Sequence, residues 1–167
     1  SWRVRQPDTD TFRLWEIAGT AHADRHLLGP AADMIDCTAP INDGPAHLVA
    51  KAAPRALDTW VRTGAVPPVA ERIPLSDSAN NPVPLRDADG IALGGVRTPP
   101  VDVPVDALSG VPVSSSIICL LLGSTVALPD TRIAELYSSR TEYEQLYEES
   151  AVATIAAGFV LEDDHAA

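Results

Sequence analysis

The residue best suited to chemistry in this sequence is a histidine in a loop of small residues. His22 follows an apolar run at residues 11–17 and a short stretch that contains Gly19. Imidazole titrates close to neutral pH, so a histidine held just past a buried strand is placed to act as a general base. A general base needs a nucleophile, and the strand-to-helix pattern G-x-S-x-G is absent from the chain. The sequence therefore predicts one part of a catalytic site, with His22 as its proton-transferring residue.

The carboxylates and hydroxyls near this histidine in sequence fit structural roles better than catalytic ones. Glu16 would point from a face of the predicted strand, and Asp24 is close enough to cap the loop. Ser124 lies in a Gly-Ser-Thr sequence that is typical of a turn. The remaining serine candidates also lack a nucleophile pattern and follow the histidine in the chain: Ser114, Ser115 and Ser116.

A metal site is an alternative interpretation of the same loop. His22 and His26 are four residues apart and would share one face of a helix, with Asp24 as a carboxylate ligand. The glutamate of H-E-x-x-H is missing and Gly19 favours a loop, so we expect no metal and no cofactor. We expect His47, beside a helix start, to form local hydrogen bonds and His165, near the end, to be disordered.

Composition excludes some classes of partner. The chain has 167 residues, 12 basic and 23 acidic, for a formal net charge of −11. An acidic surface without a basic cluster repels phosphate backbones and anionic lipids, so we expect neither nucleic acid nor membrane as a partner. No apolar run is long enough to cross a bilayer. Residues 1–7 show no signal-peptide pattern, but the chain opens on Ser rather than Met, which is expected if its N-terminal portion is missing.

The hydrophobic pattern predicts an α/β protein with few strands. Residues 11–17 are apolar on both faces, as in a strand inside a covered sheet, and residues 117–122 form a second buried strand or core segment. Helical spacing predicts one helix from about residue 45 to Gly64, a short one at 130–137 capped by Asp130, and a long one at 139–158. The long helix starts with a capping box of Ser139 and Glu142. We expect its inward face to hold Tyr143, Leu146, Tyr147 and Ile155.

The middle of the chain is rich in proline. Nine of the 15 prolines lie in residues 67–113, which we interpret as a wrapping region within a single domain at 1–167, because its valines need apolar surroundings. A small hairpin is expected at residues 83–86 and 91–96, followed by extended chain at 101–113.

The sequence does not reveal the redox state of its two cysteines. Cys37 and Cys119 either form a disulfide or remain two buried free thiols. The compartment is unknown from the sequence, and a bonded pair would favour an extracytoplasmic one.

Ordered blocks along nearly the whole chain resemble a known family. They are residues 5–10 (R-Q-P-D-T-D), 12–24 (F-R-L-W-E-I-A-G-T-A-H-A-D), 41–47 (I-N-D-G-P-A-H), 94–99 (G-G-V-R-T-P), 101–105 (V-D-V-P-V), 122–125 (L-G-S-T), 136–137 (L-Y) and 157–159 (A-G-F). As a set they resemble the C-terminal part of bacterial alpha/beta hydrolase domain-containing proteins, a serine esterase-like family.

The resemblance implies an α/β fold in which this chain is the C-terminal portion of the hydrolase sheet. Such a portion comprises a terminal strand, helices and the Pro-rich wrapping segment, and another segment or chain completes the sheet. It also implies a Ser-acid-His triad acting on a small carboxylic ester or related acyl substrate, with His22 as the histidine. The nucleophile and acid would precede Ser1, on the N-terminal portion of the same hydrolase or on a partner chain, and this chain alone would be inactive. The alternatives are a non-catalytic module for subunit association and the metal-binding domain described above.

Overall fold

The computed structural model describes residues 2–78, 80–113 and 116–165. In chain order its helices are α1 (Arg25–Leu28), α2 (Ala46–Thr63), α3 (Pro99–Asp102), α4 (Asp130–Leu136) and α5 (Arg140–Ala156), and its strands are β1 (Asp106–Ser109) and β2 (Ser124–Ala127). Short 3-10 helices occur at Trp2–Val4, Gly29–Met34, Cys119–Leu121 and Glu162–Asp164. The two strands pair antiparallel, with Ser109 opposite Ser124. Helices with a small sheet are consistent with part of an α/β fold.

The two long helices form where the sequence predicts them. α2 starts directly after Pro45 and ends at Gly64, whose φ of 77° closes the helix in the left-handed region. α5 begins with the predicted cap, because the Ser139 hydroxyl accepts a hydrogen bond from the Glu142 backbone N–H at 3.1 Å. The Glu142 carboxylate accepts from the backbone N–H of Ser138 rather than that of Ser139.

Two details of the helix predictions are wrong, and so is the predicted disorder at His165. Pro129 rather than Asp130 occupies the capping position of α4, and Asp130 is its first helical residue. Leu146 is 36% exposed, because the contacts of α5 involve only part of its predicted apolar face. His165 is described, with its Nε2 2.8 Å from a carboxylate oxygen of Glu148.

The predicted strand at residues 11–17 does not form as a strand. This segment is extended, and Ile17 makes one parallel bridge to Val96, with the backbone N–H of Ala18 donating to the Val96 carbonyl at 3.0 Å. Gly95, with a φ of 74°, turns the chain just before Val96, and α3 begins three residues after Val96. The pairing between Ile17 and Val96 therefore cannot extend in either direction. The segment is therefore half-buried, with one side uncovered.

The predicted core segment at residues 117–122 is also wrong in part. It forms a turn and a 3-10 helix, in which Cys119 and Leu122 are buried but the other aliphatic side chains are exposed. An apolar run can be mistaken for a core strand because composition does not reveal which neighbours cover it.

The Pro-rich region at residues 67–113 buries some of its valines, and its role as a wrapping region stays a prediction. Val96, Val101 and Val103 are buried, and a bridge between Arg86 and Ala92 confirms the small hairpin. The extended chain expected at 101–113 forms strand β1 over part of its length, but its first residues belong to the end of α3. Most of the buried apolar residues in the described part of the chain belong to three small clusters, centred on Ile91, Val49 and Ile41.

No helix within the described parts of the chain has the length and apolar character needed to span a bilayer.

Candidate active site

His22 is the exposed residue of a partly buried loop that leaves the extended segment at Gly19. Gly19 has a φ of 69°, and a Cβ at this position would approach a methyl carbon of Val101 to 2.7 Å. Only glycine allows both this backbone conformation and this close packing. The turn at Gly19 carries the chain from the buried Ala18 to the surface, where the side chain of His22 is exposed.

A buried asparagine fixes the base of this loop. The side chain of Asn42 is fully buried, and its Nδ2 donates to the carbonyl oxygens of Gly19 at 2.8 Å and Ser109 at 3.2 Å. Its Nδ2 also lies 3.4 Å from the Ser124 carbonyl, and its Oδ1 accepts from the Gly44 backbone N–H at 3.0 Å. One amide therefore joins the His22 loop to both strands and to the start of α2.

The far side of the loop is held by the segments that follow β1 and precede β2. The backbone N–H of Ala23 donates to the Leu121 carbonyl at 3.1 Å. At Gly110, a Cβ would lie 2.3 Å from the Thr20 carbonyl oxygen, so a side chain there would displace the loop. The His22 loop is thus enclosed at its backbone while its imidazole faces outward.

A disulfide joins Cys37 to Cys119. The alternative of two free thiols is therefore excluded in this structure. The bond connects the chain after α1 to the segment whose Leu121 carbonyl accepts from Ala23 in the His22 loop.

The neighbouring carboxylates have structural roles, as predicted from their sequence positions. The Glu16 carboxylate accepts two hydrogen bonds from the Arg5 guanidinium, at 2.5 and 2.7 Å, and one from the Ile73 backbone N–H at 2.9 Å. Asp24 is buried and caps α1 by accepting from the Leu27 backbone N–H at 2.8 Å. Both carboxylates are therefore engaged away from the imidazole of His22.

His26 stacks on His47 rather than joining His22. Their ring centroids are 3.7 Å apart and the ring planes differ by 9°. Burial lowers the pKa of His47, and the neighbouring His26 and Lys51 lower it further. The Nδ1 of His47 is buried without a hydrogen-bond partner among the described residues, so the local hydrogen bond predicted there is not formed through this atom.

The metal interpretation finds no support in the geometry. Within residues 2–78, 80–113 and 116–165, no group of three or more His, Cys, Asp or Glu side chains is placed to hold an ion. The Asp24 carboxylate is directed to the backbone of α1, and His26 faces His47.

Of the serine candidates, Ser124 has a structural role. Ser124 is buried, and its hydroxyl donates to the Val111 carbonyl at 3.2 Å. Ser124 begins β2, and the predicted turn is confined to Gly123 before it. Ser114 and Ser115 lie outside the described residues.

An apolar groove lies in a part of the structure that His22 does not line. It has a volume of about 540 Å³ and runs, open to solvent, between the extended segment at 11–17 and α2. Its walls are Thr11, Phe12, Arg13, Trp15, Ile17, Val49, Ala50, Ala53, Pro54, Ala56, Leu57, Trp60 and Pro67. The groove exists because the extended segment has a neighbour on only one side.

Comparison with known proteins gives one family match. Residues 1–167 match the family described as alpha/beta hydrolase domain. No curated protein and no solved structure shows significant similarity to this chain.

Proposed function

The chain belongs to the alpha/beta hydrolase domain family, and we propose that it supplies the triad histidine of a serine hydrolase. In this proposal His22 is the general base, and the nucleophilic serine and the acid come from another segment or chain. The substrate is a carboxylic ester or a related acyl compound.

The proposal rests on the way in which the fold holds the backbone of His22 and leaves its side chain exposed. Its side chain is exposed on a loop whose backbone is fixed by Asn42 on one side and by Leu121 on the other. No described residue hydrogen-bonds to its imidazole. A catalytic base has to be held on a rigid support with its ring available to groups it must contact, and this arrangement meets both requirements.

The chemistry follows from a neutral imidazole beside a serine hydroxyl. His22 would accept the serine proton as the oxygen attacks the ester carbonyl, and would return that proton to the departing alcohol. Water would then attack the acyl-serine with His22 again accepting a proton, so that one ester and one water give one carboxylic acid and one alcohol.

Covalent labelling of the full product of the encoding gene tests this proposal. A fluorophosphonate probe should label a serine in that protein, and the labelling rate should fall strongly in His22→Gln but not in the matched variant His26→Gln. Absence of labelling in the unmodified protein, or equal rates in both variants, would contradict the assignment.

The apolar groove favours a second candidate, a module for subunit association. Its walls include Trp15 and Leu57, and Leu57 is 55% exposed, so an apolar partner surface could cover it. Light scattering of this chain alone tests the idea, because an uncovered groove should promote self-association and a stable monomer would count against a docking role.

The disulfide supports an extracytoplasmic location in this proposal. Disulfides persist in oxidising compartments and are uncommon in a reducing cytosol. Non-reducing electrophoresis of the native protein against reduced and alkylated protein checks whether the bond is present.

A further inference from the structure

A cavity smaller than the apolar groove lies where β1, β2 and α5 meet the chain before α2. Its volume is about 220 Å³, below the roughly 300–1,000 Å³ that is usual for pockets holding drug-sized ligands. Aliphatic side chains and a proline form part of its wall. The other lining residues are two carboxylates, two tyrosines and a threonine, namely Asp43, Asp106, Tyr143, Tyr147 and Thr125. His22 does not line this cavity, which is therefore distinct from the candidate active site.

The charged groups in the cavity wall are all of one sign. Asp43 follows Asn42 and Asp106 begins β1, so the fold brings together two carboxylates that are far apart in the sequence. No described Lys, Arg or His lines the cavity. Neither carboxylate has an ion pair or a side-chain hydrogen bond with another described residue, whereas the Asp89 carboxylate accepts two hydrogen bonds from Arg132. The negative charge of the cavity wall is therefore uncompensated, and a cation placed there would be attracted.

Two tyrosines supply the aromatic part of the wall. Tyr143 and Tyr147 are one turn apart on α5 and share a face of the helix, and their ring centroids are 5.8 Å apart. Tyr143 also packs edge-on against Tyr137 at 5.2 Å, which supports its ring. The Tyr137 hydroxyl donates to the Pro104 carbonyl, but the two cavity hydroxyls have no hydrogen-bond partner among the described residues. Aromatic faces attract alkylated ammonium groups through the ring quadrupole.

The surroundings keep both phenols neutral. Burial raises the pKa of Tyr143, and the negative charges of Asp106 and Glu144 raise this pKa further. Burial also raises the pKa of Tyr147. Both rings therefore stay protonated near neutral pH, and the charge of the cavity comes from its two carboxylates.

The backbone that carries these carboxylates is held by hydrogen bonds. The Thr125 hydroxyl accepts from the Asp43 backbone N–H at 2.9 Å and donates to the Ile41 carbonyl at 3.2 Å. Asp106 is paired with Ala127 in the antiparallel register of β1 and β2. A binding site gains precision when regular elements position its side chains, and this cavity is built from two strands and one long helix.

We propose that this cavity binds a small organic cation, whose ammonium group is neutralised by Asp43 and Asp106 and contacts the rings of Tyr143 and Tyr147. The inference goes beyond the proposed hydrolase function and does not depend on it. A metal ion is a poorer fit, because the described residues offer no group of three or more His, Cys, Asp or Glu side chains placed to hold one. An ammonium group with carbon substituents suits the wall better, since its hydrocarbon part contacts the aliphatic side chains.

Saturation-transfer NMR on the full gene product tests the proposal, with tetramethylammonium chloride and butylammonium chloride as probes. tert-Butanol is the matched neutral ligand, because its size is similar to that of tetramethylammonium. The variant Asp43→Asn/Asp106→Asn removes both cavity charges with little change of shape. Asp10→Asn/Asp77→Asn is the matched control for net charge, since both of these carboxylates are exposed and neither lines the cavity.

At least one ammonium probe should bind the unmodified protein with a lower Kd than tert-butanol. The cavity variant should raise that Kd roughly tenfold, because two ion-pairing groups are lost, and the control variant should raise it by less than about twofold. Tyr147→Leu keeps both carboxylates and should also raise the Kd, through loss of an aromatic face.

Three results would overturn the proposal: no binding of either ammonium probe, equal Kd values for the probes and tert-butanol, or equal effects of the two double variants. Circular dichroism checks that each variant is folded. If the cavity double variant is unfolded, Tyr147→Leu provides the test, and an unchanged Kd in that variant would overturn the proposal.

Discussion

The side-chain amide of Asn42 donates a hydrogen bond to the backbone carbonyl of Gly19 at 2.8 Å in a fully buried position. Gly19 is the turning point of the loop that presents His22, so this bond connects the interior of the chain to its candidate catalytic residue. The same amide bonds to the carbonyl of Ser109 in β1 and, at a longer distance, approaches that of Ser124 in β2.

Replacing Asn42 should destabilise the protein strongly. Asn42→Ala leaves buried carbonyl groups and the Gly44 N–H without partners, and we expect a loss of about 2–4 kcal/mol in the free energy of unfolding. Asn42→Asp should cost more, because a carboxylate would face carbonyl oxygens that it cannot donate to. Urea unfolding measures both variants, and a loss below about 0.5 kcal/mol in either would contradict the role assigned to this amide.

Opening the disulfide should also lower stability. Cys37 and Cys119 are 82 positions apart in the sequence, and in the chain-entropy account a loop of this size corresponds to about 4 kcal/mol. We expect the double variant Cys37→Ala/Cys119→Ala to unfold at lower urea concentration than the oxidised protein. The natural protein unfolded in the presence of a reductant is the matched comparison. Identical midpoints for the oxidised and reduced natural protein would show that the cross-link contributes nothing.

Stability should depend on pH through His47. In the unfolded chain a histidine takes up its proton near pH 6.5, whereas burial, with His26 and Lys51 nearby, lowers the pKa of folded His47. Between these two pKa values the unfolded chain binds more protons, so the free energy of unfolding falls as the pH falls through about 6.5. The carboxylates of Asp24 and Asp164 act in the opposite direction but do not reverse the shift.

The variant His47→Phe isolates this contribution, since it keeps an aromatic ring against His26 and cannot take up a proton. Urea unfolding from about pH 8 to about pH 5 should show a smaller decrease in stability for the variant than for the natural protein. Parallel pH profiles would contradict the assignment to His47.

Glu16 should matter for stability and not for catalysis. Its carboxylate accepts hydrogen bonds from Arg5 and from the Ile73 backbone N–H, in a site where both charged side chains are mostly buried. Glu16→Gln should reduce the free energy of unfolding by about 1–3 kcal/mol, while kcat/KM of the full gene product changes by less than about twofold. A large activity loss with unchanged stability would identify Glu16 as a catalytic acid instead.

The local signals in the sequence were sufficient for the long helices. Gly64 and Ser139 mark helix ends through their own backbone and side-chain chemistry, and such signals act over a few residues. The small hairpin near Ala92 could be predicted for the same reason, from turn residues between two short runs.

Burial was less predictable because it depends on distant partners. Residues 11–17 and the apolar run that begins at Ile117 have the composition of core strands. Among the described residues, Val96 pairs with Ile17 and Phe12 has a local bridge to Thr9, while Ile117 is exposed. The role of Asn42 was also missed, since no local pattern reveals that its amide meets Ser109, 67 positions away. The sequence signal that could have pointed to Asn42 was its position in residues 41–47, one of the blocks that resemble the hydrolase family.

The central claim is that His22 transfers the proton in ester hydrolysis, and the ratio of kcat/KM between two single variants tests it most directly. In the full gene product, His22→Gln should lower kcat/KM for an aryl ester by at least about 10³-fold. His26→Gln, four positions along the same part of the chain, should stay close to the unmodified protein. Turnover by His22→Gln equal to that of His26→Gln would contradict the account.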